Sequence, residues 1–89
     1  MRAVLTVIGK DTVGILARVS AICAEHNVNI TEVTQSVLSD LFCMIMMCET
    51  DGIDIGFAAF ADKLEQAGKE MNLSIKVMHE DIFNSMHRI

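Results

Sequence analysis

The sequence contains no proline, no tryptophan and no tyrosine, and its only aromatic residues are four phenylalanines. Without proline there is no stiff extended linker of the Pro-rich kind, and no low-complexity tract or short tandem repeat breaks the chain. Four rings leave little to stack on nucleobases. The cations are also few: seven Lys and Arg against twelve Asp and Glu, a net charge of −5, scattered from Arg2 to Arg88 with no basic stripe. Nothing there can neutralise a run of phosphates, so a nucleic-acid partner is not expected.

Cysteine is scarce as well. Cys23, Cys43 and Cys48 are odd in number and no pair is spaced C-x-x-C, which argues against a zinc knuckle, a redox dithiol motif or a paired disulfide framework. The expectation is three small hydrophobes without a functional role, in a reducing, cytoplasmic setting. Long apolar runs are missing too. The longest, Leu41 to Cys48, is eight residues, far short of the ~20 needed to span a bilayer as a helix. Met1-Arg2 leads straight into a strand-like run with no small-residue cleavage pattern behind it, so neither a signal peptide nor a membrane partner is expected.

What the chain does have is apolar mass. Of its 89 residues 52% are hydrophobic, before its five glycines are added, against a typical ~45–50% with glycine included. A domain this small buries only about 64% of its unfolded surface. Part of that apolar surplus is expected to meet a partner, most simply a second copy in a homodimer.

Periodicity divides the chain into one domain over residues 1–89, with 81–89 as a short C-terminal extension. Ala3 to Ile8 is β-rich and bounded by Gly9, a first strand. Ile15, Leu16, Val19, Ile22, Cys23 and His26 follow helical spacing, with Asp11 as the expected N-cap and Asn27 as the stop. Val28 to Val37 is a second strand with Glu32, Thr34 and Ser36 on one face. Ser39-Asp40 fits a hairpin turn into Leu41 to Glu49, a third strand apolar on both faces. Asp54 is the expected cap of a second helix with the stripe Phe57, Phe60, Ala61, Leu64, Ala67, Gly68 and Met71, stopped by Asn72. Leu73, Ile75 and Val77 alternate with Ser74, Lys76 and Met78 in a fourth strand, and Asp81 to Ile89 can add a helical turn. Strand-helix-strand occurs twice. The expected class is α+β, ferredoxin-like βαββαβ: a four-stranded antiparallel sheet with two helices on one face and its other face uncovered within the chain.

Local chemistry for catalysis is thin. Gly9-Lys10-Asp11 lacks the spacing of a phosphate loop. His26, His79 and His87 are the acid–base candidates, but His26 falls at a helix end, where an imidazole commonly caps carbonyls. His79 follows the inward alternation of the fourth strand. No Ser or Cys sits in a nucleophile elbow. An enzyme is not expected, nor a metal site or a cofactor.

The informative stretch is Lys10-Asp11-Thr12-Val13-Gly14-Ile15-Leu16, followed by Asn27-Val28-Asn29-Ile30. There the sequence resembles the ACT domain family, whose pattern opens the first helix with an acidic residue, two variable positions, Gly, an aliphatic and Leu, and starts the second strand with Asn-Ile or Asn-Val. Asp11, Gly14, Leu16, Asn29 and Ile30 stand at those positions; Val13 stands where many family members have Pro. The resemblance extends over essentially the whole chain, and narrows toward stand-alone single-ACT bacterial proteins related to glycine-cleavage-system regulators. It implies a regulatory module, allosteric in its wider setting, that pairs and binds an amino acid or similar small carboxylate at the homodimer interface. Asp11, Val13, Gly14, Ile15, Leu16, Asn29 and Ile30 are then the ligand-binding residues. Gly14 would let a ligand reach the backbone, first-turn amides would take a carboxylate, and Asn29 would donate and accept. The same residues also have a purely structural reading: Asp11 a cap, Gly14 a packing point of helix on sheet, Asn29 the close of a turn. The corresponding alternative function is a ligand-independent regulator that acts by binding another protein.

Overall fold

A computed structural model describes residues 1–86. Its elements run β1 (Arg2–Lys10), α1 (Ile15–Glu25), β2 (Asn29–Leu38), β3 (Leu41–Glu49), α2 (Phe57–Glu70), β4 (Leu73–His79) and α3 (Glu80–Met86). All sheet pairings are antiparallel, in the order β2-β3-β1-β4. This is the ferredoxin-like class expected from the sequence, with α3 in addition. His87 lies outside the described residues, as does the end of the extension expected over 81–89.

The register explains how a strand can be apolar on both sides. Leu5 pairs with Met46 and Val77, and Val7 with Met44 and Ile75, on the face that carries α1 and α2. There Leu5, Val7, Met44, Met46 and Cys48 close on Val19 and Cys23 of α1 and on Phe60 and Leu64 of α2, each almost fully buried. On the opposite face, one residue out of step, lie Thr6, Ile8, Cys43, Ile45 and Met47. Ile8 and Ile45 are 47% and 42% exposed.

That second face is not wholly bare. Val4 belongs to it, yet is fully buried. The element that accounts for its burial is α3, which packs on β1 and β4 and is tied down by an Arg2–Glu80 ion pair. The expectation of a face without cover is therefore corrected at its Val4 end. A strand and helix joined without a loop turn the chain straight back onto the sheet.

Three left-handed residues other than glycine punctuate the fold. Asn27 (φ 62°) stops α1, Ser39 (φ 59°) turns the β2–β3 hairpin and Asn72 (φ 59°) stops α2, as their positions predicted. Both expected helix caps are corrected. Gly14, not Asp11, is the N-cap of α1, and Gly56, not Asp54, that of α2; neither helix start has a side-chain cap. Asp11 is occupied through its backbone, its N–H donating to the Asp40 carbonyl at 2.9 Å. Asp54 is drawn away to His26.

The cysteines are free, Cys23 and Cys48 buried and Cys43 half-buried. The hydrogen bond to Cys23, and then burial, pushes the Cys48 thiol up.

Two glycines carry opposite constraints. Gly14 has φ +87° with nothing within 4 Å of where a Cβ would stand, so its requirement is conformational, and it does not pack helix on sheet. Gly68 is a close approach: a Cβ would meet Ile75 Cγ1 and the Leu73 carbonyl, each at 2.9 Å. Gly14→Ala is expected to lose about 1–2 kcal/mol through the left-handed backbone alone. Gly68→Ala is expected to destabilise despite the ~1 kcal/mol that alanine ordinarily gains inside a helix. Urea unfolding of the two variants checks both; a neutral Gly14→Ala would show that the positive φ carries no weight.

Candidate functional site

The residues singled out in the sequence fall into two groups at opposite ends of the molecule. Asp11, Thr12, Val13 and Gly14 form the β1–α1 loop, beside the β2–β3 hairpin to which the Asp11–Asp40 bond ties it. The first helical bond of α1 runs from the Arg18 N–H to the Gly14 carbonyl. The amides of Ile15, Leu16 and Ala17 therefore precede the helical ladder, and no side chain caps them. Such amides, at the positive end of the helix dipole, suit an anion. Of the side chains here, Ile15 is buried in the core, so it can offer a ligand only its backbone. Val13 is 97% exposed and Leu16 41%.

Asn29 stands at the far end of the 11-residue α1, at the first position of β2 and opposite Glu49 of β3. The loop end is marked by the Lys10–Leu41 pair. Eight strand steps separate the two levels, about 26 Å at ~3.3 Å per residue. Within one chain, then, Gly14 and Asn29 cannot touch the same small molecule. Asn29 is exposed and lines, with Ala24, Asn27 and Val28, a cavity of about 300 Å³. The turn beside it is closed by Asn27, whose Nδ2 donates to the Gly52 carbonyl at 2.9 Å. That leaves the Asn29 side chain free of the turn-closing task. Ile30 is half-buried against the core.

One cluster was missed by reading the sequence. His26 does not cap carbonyls with its ring. Its Nδ1 lies 2.9 Å from Asp54 Oδ1 and its Nε2 2.7 Å from Lys63 Nζ, while Lys63 also donates to Glu25 Oε1 at 2.7 Å. An ammonium can only donate, so Nε2 accepts and the ring proton is assigned to Nδ1, donated to Asp54. The ring edge packs on Phe60, 6.4 Å between centroids. The hydrogen bond and charge of Lys63 hold the Glu25 carboxyl below its ordinary value. Both ring nitrogens are thus engaged, and the cluster clamps the end of α1 to the start of α2 without presenting a free base. Nothing in the local spacing could have signalled it, because the partners are 28 and 37 residues away. His79 is likewise engaged, its Nδ1 accepting the Asp81 N–H at 3.1 Å.

Among the described residues no group of three or more His, Cys, Asp or Glu side chains could hold a metal ion, and no helix is long and apolar enough to cross a membrane.

Comparison with known proteins agrees with this geometry. Residues 2–78 match the sequence profile of the ACT domain. A UPF0237 protein of Methanopyrus kandleri is 43% identical over 88 residues, 99% of this chain and 98% of its own. Among solved structures, an ACT domain protein from Streptococcus pneumoniae superposes with a TM-score of 0.81 at 35% identity, over 93% of each chain. A formyltetrahydrofolate deformylase from Pseudomonas syringae superposes with a TM-score of 0.79 at 27% identity, over 88% of this chain but only 27% of the enzyme. The β1–α1 loop, the sheet order and these matches lead to one conclusion: the chain belongs to the ACT domain family.

Proposed function

We propose that this protein is a small regulatory module that binds an amino acid or similar small carboxylate between two copies of itself. The observation that carries the reading is the separation of Gly14 from Asn29 by the length of α1, combined with an unpaired strand edge. β2 bonds to β3 on one side only. Beyond its first residues it is exposed throughout, including Val33 and Val37 at 43% and 50%. A long edge of this kind is a template for another strand.

If β2 pairs with β2 of a second copy about a two-fold axis, the strands run antiparallel. The Asn29 end of one then lies against the Leu38 end of the other, and so beside the partner's Asp11–Gly14 loop. Two equivalent sites result. In each, first-turn amides of α1 take the carboxylate, and Asn29 from across the interface orients the other polar end. Gly14, with open space over its Cα, lets the ligand approach the backbone. Asp11, released from capping, is free to hold an ammonium.

The same fold occupies about a quarter of the deformylase chain, as part of a larger enzyme. Here it makes up nearly the whole of the described chain. A second reading, regulation by protein binding without a ligand, is favoured by one observation: the loop tip presents an almost fully exposed Val13, an apolar contact no polar ligand needs.

Calorimetric titration with the twenty amino acids is the first test. For the amino acid that binds, Asn29→Ala is expected to weaken affinity about ten-fold, for one or two lost hydrogen bonds of roughly 0.5–1.5 kcal/mol each. Gly14→Val is expected to abolish binding and, given its left-handed backbone, to cost stability as well. The decisive form is complementation. A mixture of the two variants, refolded together, should regain one intact site per mixed dimer, built from the Gly14 of one chain and the Asn29 of the other. Binding that is not regained would remove the shared site; no binding of any amino acid at millimolar concentration would favour the protein-binding reading.

A further inference from the structure

Beyond the β2 edge, the sheet face opposite α1 and α2 differs between its two ends. At one end of this face, the Val4 end, α3 stands as a ridge across β1 and β4. At the other end no element of the described chain covers the sheet, and Ile8, Ile45 and Leu41 are 47%, 42% and 41% exposed. The ridge has an apolar crest of its own, with Ile82 55% and Met86 66% exposed. Charge is arranged in the same sense. The first turn of α3 is acidic, with Asp81 at 86% side-chain exposure. The opposite end of the face carries exposed Lys10, in no ion pair found among the described residues.

We infer that this face is a second interface, at which another copy of the chain packs sheet to sheet about a two-fold axis perpendicular to the strands. That operation reverses the ends of the face. The α3 ridge of each copy then falls beside the bare Ile8–Leu41 end of the other, the apolar crest meets exposed apolar side chains, and Asp81 approaches the partner's Lys10. Ile45, midway along the face, lies near the axis and meets its own copy; exposed Lys76, at the same level on the edge strand β4, keeps its ammonium in water at the rim of the contact by extending its long stem outward. A two-fold axis parallel to the strands would instead set ridge against ridge and hold the bare ends apart. The self-complementarity that an isologous contact requires is thus met by one orientation. Combined with pairing across the β2 edge, which uses different atoms, this contact joins two dimers into a closed tetramer.

The chain supplies its own probe. Cys43 lies on this face beside Ile8, while Cys23 and Cys48 are sealed in the core. Light scattering of the intact protein at tens of micromolar, and maleimide labelling at the same concentration, are compared with Ile45→Glu. The exposed position makes that variant compatible with the folded chain, and circular dichroism checks it; Ile8→Lys serves as a second variant. The expected result is that the wild type labels slowly at Cys43. In either variant the mass falls by half and Cys43 labelling speeds up at least ten-fold. An unchanged mass in both folded variants, or wild-type Cys43 labelling as fast as in Ile45→Glu, overturns the interface. Ile8 is flanked by Cys43 of β3 and Ser74 of β4 and does not adjoin β2, whereas Ile45 pairs with Thr34 of β2, so it is in Ile8→Lys that amino-acid binding in the titration above stays as in the wild type. The two proposals therefore fail separately.

Discussion

Everything in this fold depends on the pairing of β1 with β3 at the centre of the sheet. The two strands match residue for residue from Arg2–Glu49 to Lys10–Leu41. Because side chains alternate with a period of two, that register decides at once which residues meet the helices and which do not. It puts Leu5, Val7, Met44 and Met46 under α1 and α2, where burial is complete. A one-residue slip of β3 would send Ile45 and Met47 inward and turn Met44 and Met46 out. The helices reach across to the flanking strands as well: α2 packs chiefly on β4, while α1 touches β2 and α2.

The same register fixes the geometry of the proposed function. Strands of this length set the ends of the sheet about 26 Å apart, and α1 returns the chain from one end to the other. A loop at the start of α1 and a residue just past its end are therefore far apart in one copy, although only 15 positions separate Gly14 from Asn29 in sequence. A two-fold axis perpendicular to the strands, as in the proposed β2 pairing, brings such ends together. The polar clamp of His26, Asp54, Lys63 and Glu25 fixes the end of α1 nearest Asn29. The loop end is held by the Asp11–Asp40 backbone bond. One end of the site is thus anchored by a side-chain network and the other by the hairpin.

Much of this was readable from the sequence, where local rules governed. The alternation of β3, the helical stripe ending in Gly68 and Met71, and the left-handed Asn27 and Asn72 all follow from properties of neighbouring residues. The failures have a common cause. Asp11 and Asp54 are good caps by residue type, but distant segments place them elsewhere: the Asp54 carboxylate is engaged by His26, and Asp11 is fixed through its backbone N–H to the Asp40 carbonyl, while Gly14 takes the cap position. With Asp11 as the expected cap, Gly14 would fall inside the first turn of the helix. Its φ of +87° is set by how β1 must turn into α1, which no period records.

The sequence by itself determined the elements, their order and the class of fold, because periods of 2 and 3.6 and the stop signals between them act over a few residues. It also pointed, through Asp11, Gly14 and Asn29, to the segments of the proposed site. Only the tertiary structure decided that these segments lie at opposite ends of the chain's own fold, that α3 turns back over Val4, and that His26 is bound on both nitrogens. Those outcomes depend on which distant groups the sheet register brings within reach, and that is a property of the packed chain as a whole.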